Sequence, residues 1–242
     1  MGIDRTAIES VLLSLNHVPR NSRTHMLTLG RQQVHIPKAV VAHFLNKYGV
    51  VDAVVPDYQE YCENFFRSLG FETVDSIDNS EYERATILHN MNVKVPETLK
   101  NAYDFIYDGG TTEHVFNAPQ ALQNVIDMLR VGGIVCSVVP NNNQSGHGFY
   151  QFSPETFLSA FSPPYGMRVR EMYIAVNSSD RCTWKSVASV GDHQFGRNQS
   201  RFPTTDEVFL ITIAEKIAEA DVTLLQRAPS QYSYEEMDWK HD

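Results

Sequence analysis

From Gly70 onward the chain alternates short β-prone runs with amphipathic stretches, and each run ends in a marked residue or turn. Thr73 to Ile77 ends in Asp78, Thr86 to Leu88 in His89-Asn90, and Phe105 to Tyr107 in Asp108-Gly109-Gly110. Leu122, Val125, Ile126 and Leu129 form a helical stripe after Pro119. Gly132-Gly133 break that stripe, and Ile134 to Val139 reads as an apolar strand ending at Pro140. Strands alternating with helices predict a parallel sheet with helices on both faces. In open sheets of this kind ligands bind at the carboxyl ends of the strands. The polar residues just named stand at that edge.

The flanking segments extend the pattern. Residues 4–16 carry Ile8, Val11, Leu12 and Leu15 at helical spacing, with Asp4 placed to cap the start. Thr24 to Leu29 is a strand ending at Gly30. Pro37 opens a helix in its first turn, with Val41, Phe44, Leu45 and Tyr48 on one face, and Gly49 ends it. Val50 to Val55 reads equally as strand or buried loop. Tyr58, Tyr61, Cys62, Phe65 and Leu69 mark an amphipathic helix stopped by Gly70. Ser153-Pro154 starts a helix through Phe161, and Arg168 to Val176, Thr183 to Val190 and Glu207 to Ile213 read as later strands. The 242 residues suit one large α/β domain. Its expected span is 1–226, with an inserted helix near 37–49 and an acidic tail over 227–242.

Twenty basic and 29 acidic side chains leave a net charge of −9. No overall basic face for a phosphate backbone follows from that balance, so nucleic acid is not an expected partner. Cys62, Cys136 and Cys182 form no C-x-x-C pair and read as reduced, packed cysteines. No run of 18 apolar residues suggests a membrane span, and the first residues lack an apolar signal core. The expected location is the cytoplasm. The histidines show neither H-x-x-x-H nor H-E-x-x-H, so no metal site is expected. Tyr58, Tyr61 and Phe65 belong either to a core-facing stripe or to a face for a second copy, leaving a homo-oligomer open.

The run Tyr103 to Val115, with Asp108-Gly109-Gly110 and Glu113-His114, then Pro119 to Leu129 and Gly132-Gly133, resembles the central region of class I S-adenosylmethionine-dependent methyltransferases. It is similar to their fourth strand, the segment after it, the next helix and the turn into strand five. Gly146-His147-Gly148-Phe149-Tyr150-Gln151-Phe152-Ser153-Pro154 resembles a segment of one subgroup of small bacterial methyltransferases. Glu207 to Lys216 resembles the last, antiparallel strand of that fold. Close resemblance covers about 70–161, with looser matches at 24–32 and 205–216. It implies a Rossmann-like sheet, mostly parallel with an antiparallel last strand, and S-adenosylmethionine as methyl donor. It also implies a small-molecule acceptor, such as a sugar, a glycan precursor or a specialised metabolite, methylated on oxygen more readily than on nitrogen.

A bound nucleoside needs an acceptor pair for its ribose hydroxyls, and a strand-end carboxylate supplies one. Asp78 is the choice, although Asp-Asn-Ser is also good turn chemistry. The resemblance assigns the adenine amino group to Asn90, whose amide oxygen accepts a hydrogen bond, and places Asp108 and Gly109 beside the cofactor. The first glycine motif departs from the family. Only Gly30 survives in Leu29-Gly30-Arg31-Gln32-Gln33, and Asp78 follows 48 residues on, against about 20 in dinucleotide folds. Arg31 is then a candidate for the cofactor carboxylate, or a surface arginine, and Gln32 a candidate amide. His114 and His147 are candidate bases for the acceptor's proton, or structural histidines. Glu113 either orients His114 or caps the next helix. Tyr150 and Phe152 either line the acceptor site or belong to the core. Residues 141–152, with Gly146 and Gly148 around His147, read as a lid or as an ordered connection. Two rival functions share these features. One is a methyltransferase-like scaffold without catalysis; the other is a nucleotide-binding oxidoreductase, which should show G-x-G-x-x-G after Leu29 and does not.

Overall fold

The computed structural model describes residues 2–177, 182–187 and 204–229. Within them, eight strands form one sheet: β1 (His25–Leu29), β2 (Thr73–Asp78), β3 (Ile87–Leu88), β4 (Tyr103–Asp108), β5 (Leu129–Asn142), β6 (Met167–Asn177), β7 (Cys182–Ser186) and β8 (Glu207–Lys216), in the order β3-β2-β1-β4-β5-β8-β6-β7. The pairs β3-β2, β2-β1, β1-β4 and β4-β5 are parallel. β8 runs antiparallel between β5 and β6, and β7 adds an antiparallel edge strand. The helices are α1 (Arg5–Ser14), α2 (Lys38–Lys47), α3 (Glu63–Ser68), α4 (Ala118–Met128) and α5 (Pro154–Ala160). The expected fold class and element order therefore hold.

Alternation along each strand sends side chains to two cores, as a period of two requires. Leu27, Ile106, Val135, Val139, Leu210 and Ala214 point to the core under α4 and α5. Met26, Phe105, Tyr107, Ile134, Cys136, Ile211 and Ile213 point to the core under α1, α2 and α3. Helix starts follow their local chemistry. The Asp4 carboxylate accepts from Ala7 N at 2.7 Å, and Asn117 accepts from Gln120 N ahead of α4. At the sheet's other edge, buried Arg23 donates to the carbonyls of Leu15, Val18 and Leu69 at 2.7–3.2 Å. It thereby ties the chain after α1 to the end of α3.

Several boundaries differ from the sequence reading. Pro37 is the cap residue ahead of α2, not part of its first turn. The helix expected over 58–69 shrinks to α3 because Gln33 pairs with Tyr61 in an isolated bridge, and the Cys62 N–H donates to the Gln32 carbonyl. β5 begins at Leu129 and runs through Gly132-Gly133, which were expected to precede it. Gly133 has no room for a side chain, since a Cβ there would meet the carbonyl oxygens of Arg130 and Tyr103 at 2.9 Å. Residues 50–55 carry no helix or strand. Leu224, near the expected end at 226, lies in the core, and the Tyr165 hydroxyl donates to the Arg227 carbonyl just beyond it. The rest of the tail, 230–242, and residues 188–190 of the strand expected to end at Val190 lie outside the described residues. All three cysteines are free. Among the described residues no helix is long and apolar enough to cross a membrane.

Candidate active site

The parallel register brings the strand ends level: Leu29 pairs with Ile77 and with Asp108, Asp78 with Leu88, and Asp108 with Ser137. Gly30, Asp78 and Gly109 therefore meet at one edge although they come from three separate segments. Gly30 adopts φ +67°, where glycine is at home. A Cβ there would lie 3.1 Å from Thr111 Oγ1, 3.4 Å from Gln32 Nε2 and 4.0 Å from Asp78 Oδ2. Gln32 and Thr111 both donate to the Leu29 carbonyl, at 2.6 and 2.7 Å, and close the end of β1. Gln32 Oε1 is buried and has no hydrogen-bond partner among the described residues. Gly109 admits no side chain, because a Cβ would fall 2.6 Å from the Tyr107 ring and 2.9 Å from Gln32 Oε1.

The other candidates divide by what their polar atoms already hold. Asp78 Oδ1 accepts from Ser80 N at 3.0 Å, so its turn function is real, while Oδ2 faces Gly30. Asn90 is exposed, and its Oδ1 accepts from the backbone and side chain of Asn92. Asp108 is buried and saturated: Oδ1 accepts from Thr111 N and Thr112 N, and Oδ2 from Thr112 Oγ1 at 2.6 Å and Ser137 Oγ at 3.0 Å. A carboxylate offers about four acceptor positions, so this one serves the turn after β4. Arg31 donates to Glu63 at 2.6 Å and to the Glu83 carbonyl at 2.8 Å, and its guanidinium stacks 3.8 Å above the Tyr61 ring. It holds α3 and the segment after β2 against the β1 loop.

The stretch after β1 owes its shape to neighbours on both sides. Ile3 N donates to the Gln33 carbonyl, His35 N donates to Ile3, and Val34 N donates to Glu60. Gly2 is packed so closely that a Cβ would lie 2.2 Å from Gln33 O. An N-terminal arm and the segment before α3 thus fix a loop that carries a single glycine.

A second group forms one turn beyond Asp108. Glu113 is fully buried, and both carboxylate oxygens lack a hydrogen-bond partner among the described residues. Burial, reinforced by the nearby Asp108 charge, pushes its carboxyl up to about 8. His114 Nε2 stands 3.7 Å and His147 Nε2 3.6 Å from Glu113 Oε1. The two imidazoles lie 5.2 Å apart, on the outer side of Glu113. Desolvation, then the neighbouring His147, holds His114 below the ordinary imidazole range. The sequence reading expects no metal site, yet donor atoms of Glu113, His114 and His147 all lie within 4.8 Å of one another. Spacing rules within one helix or loop miss this group because His147 arrives from a different strand end.

The loop 141–152 delivers His147. It is docked and pinned: Phe149 N donates to the Glu113 carbonyl, Gln144 Nε2 to Val208 O, Phe152 N to Pro140 O, and Asn141 Nδ2 to Phe152 O. Gly148 allows the approach, since a Cβ there would lie 3.0 Å from Glu113 O and 3.3 Å from His114 Nδ1. Phe152 is a core residue, as one of its two readings held. Tyr150 stacks on Phe152, and its hydroxyl donates to the Phe116 carbonyl at 2.6 Å. Phe116 and Phe149 meet edge to face with ring centres 5.4 Å apart, and both are exposed.

Five strands in the parallel order 3-2-1-4-5, then an antiparallel strand inserted before β6, decide the architecture. It is the strand order that the resemblance to class I methyltransferases implies. No protein-family model and no curated protein matches the sequence. Among solved structures the chain is similar to a TehB-like SAM-dependent methyltransferase from Corynebacterium glutamicum, at 15% identity over 86% of this chain and 87% of that one, with a TM-score of 0.43. It is similar also to the Burkholderia thailandensis 1,6-didemethyltoxoflavin-N1-methyltransferase, solved with 1,6-didemethyltoxoflavin and S-adenosylhomocysteine bound, at 12% identity over 88% and 78%, TM-score 0.46. A SAM-dependent methyltransferase from Archaeoglobus fulgidus matches at 13% identity over 88% and 95%, TM-score 0.44.

Proposed function

We propose that this protein is an S-adenosylmethionine-dependent methyltransferase acting on a small-molecule acceptor. The observation that carries the reading is the edge where β1, β2 and β4 end. There Gly30 at positive φ, the Oδ2 side of Asp78 and Gln32 Oε1, which has no hydrogen-bond partner among the described residues, converge. Gln32 Oε1 is a buried acceptor in want of a donor, which the amino group or a hydroxyl of a nucleoside-bearing amino acid supplies. Asp78 takes the ribose hydroxyls, Gly30 and Gly109 let the backbone come close, and Asn90 stands toward the adenine end. Arg31 and Asp108 support these residues through the contacts they already make.

S-adenosylmethionine, when bound, supplies an electrophilic methyl carbon on a cationic sulfur. The chain's own tasks are to align the acceptor, exclude water and provide for the acceptor's proton. Glu113, His114 and His147 stand at the same edge and handle that proton. The docked loop packs on Glu113, and Phe116 and Phe149 offer aromatic faces to an acceptor. Tyr150 positions Phe116 through its hydroxyl. An acidic chain with exposed aromatics suits a small organic acceptor better than a nucleic acid. Oxygen is the preferred acceptor atom, on the resemblance of 146–154. Calorimetry with S-adenosylhomocysteine tests the reading: one equivalent should bind. A protein that binds none at millimolar ligand is not a methyltransferase of this kind.

A further inference from the structure

Glu113 presents an unusual arrangement. Its side chain is fully buried and neither oxygen meets a hydrogen-bond donor among the described residues. A buried carboxyl is normally hydrogen-bonded, and one that carries charge is paired or bound to a metal. The two nearest cationic candidates are His114 and His147, at 3.7 and 3.6 Å. Those separations are too long for hydrogen bonds. They are close to the spacing of two donors on one cation: with bonds of about 2.1 Å, neighbouring ligand atoms sit about 3.0–3.5 Å apart. His147 Nε2 is likewise buried without a partner among the described residues, although its ring edge reaches solvent. Asp108, the nearest other carboxylate, is filled by four donors and takes no part.

We propose that Glu113, His114 and His147 form a binding site for one divalent transition-metal ion. Two imidazoles and one carboxylate suit zinc, manganese or ferrous iron, whereas magnesium and calcium prefer all-oxygen sets. Three protein donors leave at least one position for an oxygen of the acceptor. A cation there lowers the pKa of a hydroxyl it holds, so the proton leaves to solvent more readily. This assignment rests on the methyltransferase reading for its purpose, but not for its existence. The site also explains the docking of 141–152 on the turn at 112–114, which alone brings His147 to Glu113.

The test is calorimetric titration of chelator-treated full-length protein with Zn²⁺ and, separately, with Mg²⁺. One equivalent of Zn²⁺ should bind, at least 100-fold more tightly than Mg²⁺. Glu113→Gln keeps the buried shape, and His147→Ala alters a partly exposed loop residue. Each should weaken Zn²⁺ at least 100-fold while leaving the affinity for S-adenosylhomocysteine within threefold. Absence of stoichiometric Zn²⁺ binding, or Zn²⁺ affinity retained in folded His147→Ala, overturns the site. If S-adenosylhomocysteine binds and Zn²⁺ does not, the metal site fails and the function stands. If Zn²⁺ binds and S-adenosylhomocysteine does not, the function fails and the metal site stands.

Discussion

Asp78 and Asp108 end the strands on either side of β1, and they differ in what they have left to offer. Asp108 spends its acceptor capacity on Thr111, Thr112 and Ser137, whereas Asp78 keeps Oδ2 toward Gly30. Asp78→Ala should therefore weaken S-adenosylhomocysteine by about 1.5–3 kcal/mol, the range for hydrogen bonds to charged groups, with little change in thermal stability. Unchanged affinity in the folded variant removes Asp78 from the site. His114 and His147 are separable from donor binding in the same way. Alanine at either should lower turnover about 100-fold or more, once an acceptor is found, with donor affinity intact. Near-wild-type turnover in both variants would take acceptor activation away from this cluster. The strand-end position of both aspartates is legible in the sequence, because it follows from hydrophobic periodicity. Which of them is saturated is not legible, because Ser137 comes from the neighbouring strand. Glu113 is legible only as one of two readings, a partner of His114 or a helix cap, because its full burial depends on the folded surroundings.

At the scale of elements, the loop 141–152 and the turn at 112–114 behave as one piece. Gly146 and Gly148 look alike in the sequence, as two glycines that free the backbone around His147. Their surroundings separate them. Gly146 sits at φ +86° with open space around it, whereas Gly148 is pressed against Glu113 and His114. Gly146→Ala should cost about 1–2 kcal/mol through backbone strain and leave turnover nearly unchanged. Gly148→Ala must move the loop and Glu113 apart by a few tenths of an ångström, because its nearest contact is a backbone carbonyl. Catalytic rates are sensitive to small displacements of positioned groups, so turnover should fall more than in Gly146→Ala at similar loss of stability. Parallel melting and rate measurements decide this, and equal rates in the two variants would show that docking does not position the site. The same contrast marks the limits of sequence reading for elements. Helical stripes such as Leu122, Val125 and Ile126 announced α4 because the period is intrinsic to the chain. The shortening of α3 was not announced, because Gln32 and Gln33 capture Tyr61 and Cys62 from across the fold.

For the whole molecule, the proposed donor site is a junction of chain segments far apart in sequence. Gly30, Asp78 and Gly109 meet only when β2, β1 and β4 are paired in register. The β1 loop keeps its path because the N-terminal arm and the segment before α3 hold it on both sides. The 48-residue gap from Gly30 to Asp78 arises because the connection carries α2 and α3, whose entry segment packs on the loop. A ligand spanning this junction binds the folded chain and finds nothing in the unfolded one. At 100 times its dissociation constant such a ligand stabilises by about 2.7 kcal/mol. Each kcal/mol raises the melting temperature about 2–4 °C in a domain of this size, so S-adenosylhomocysteine should raise it about 5–10 °C. NAD at the same concentration should leave it unmoved, because the turn after Leu29 lacks the glycines that admit a pyrophosphate. An equal rise with NAD would favour the oxidoreductase reading, and a rise with neither would leave a scaffold. A rise with S-adenosylhomocysteine that disappears in Asp78→Ala ties the stabilisation to the β2 edge of the junction.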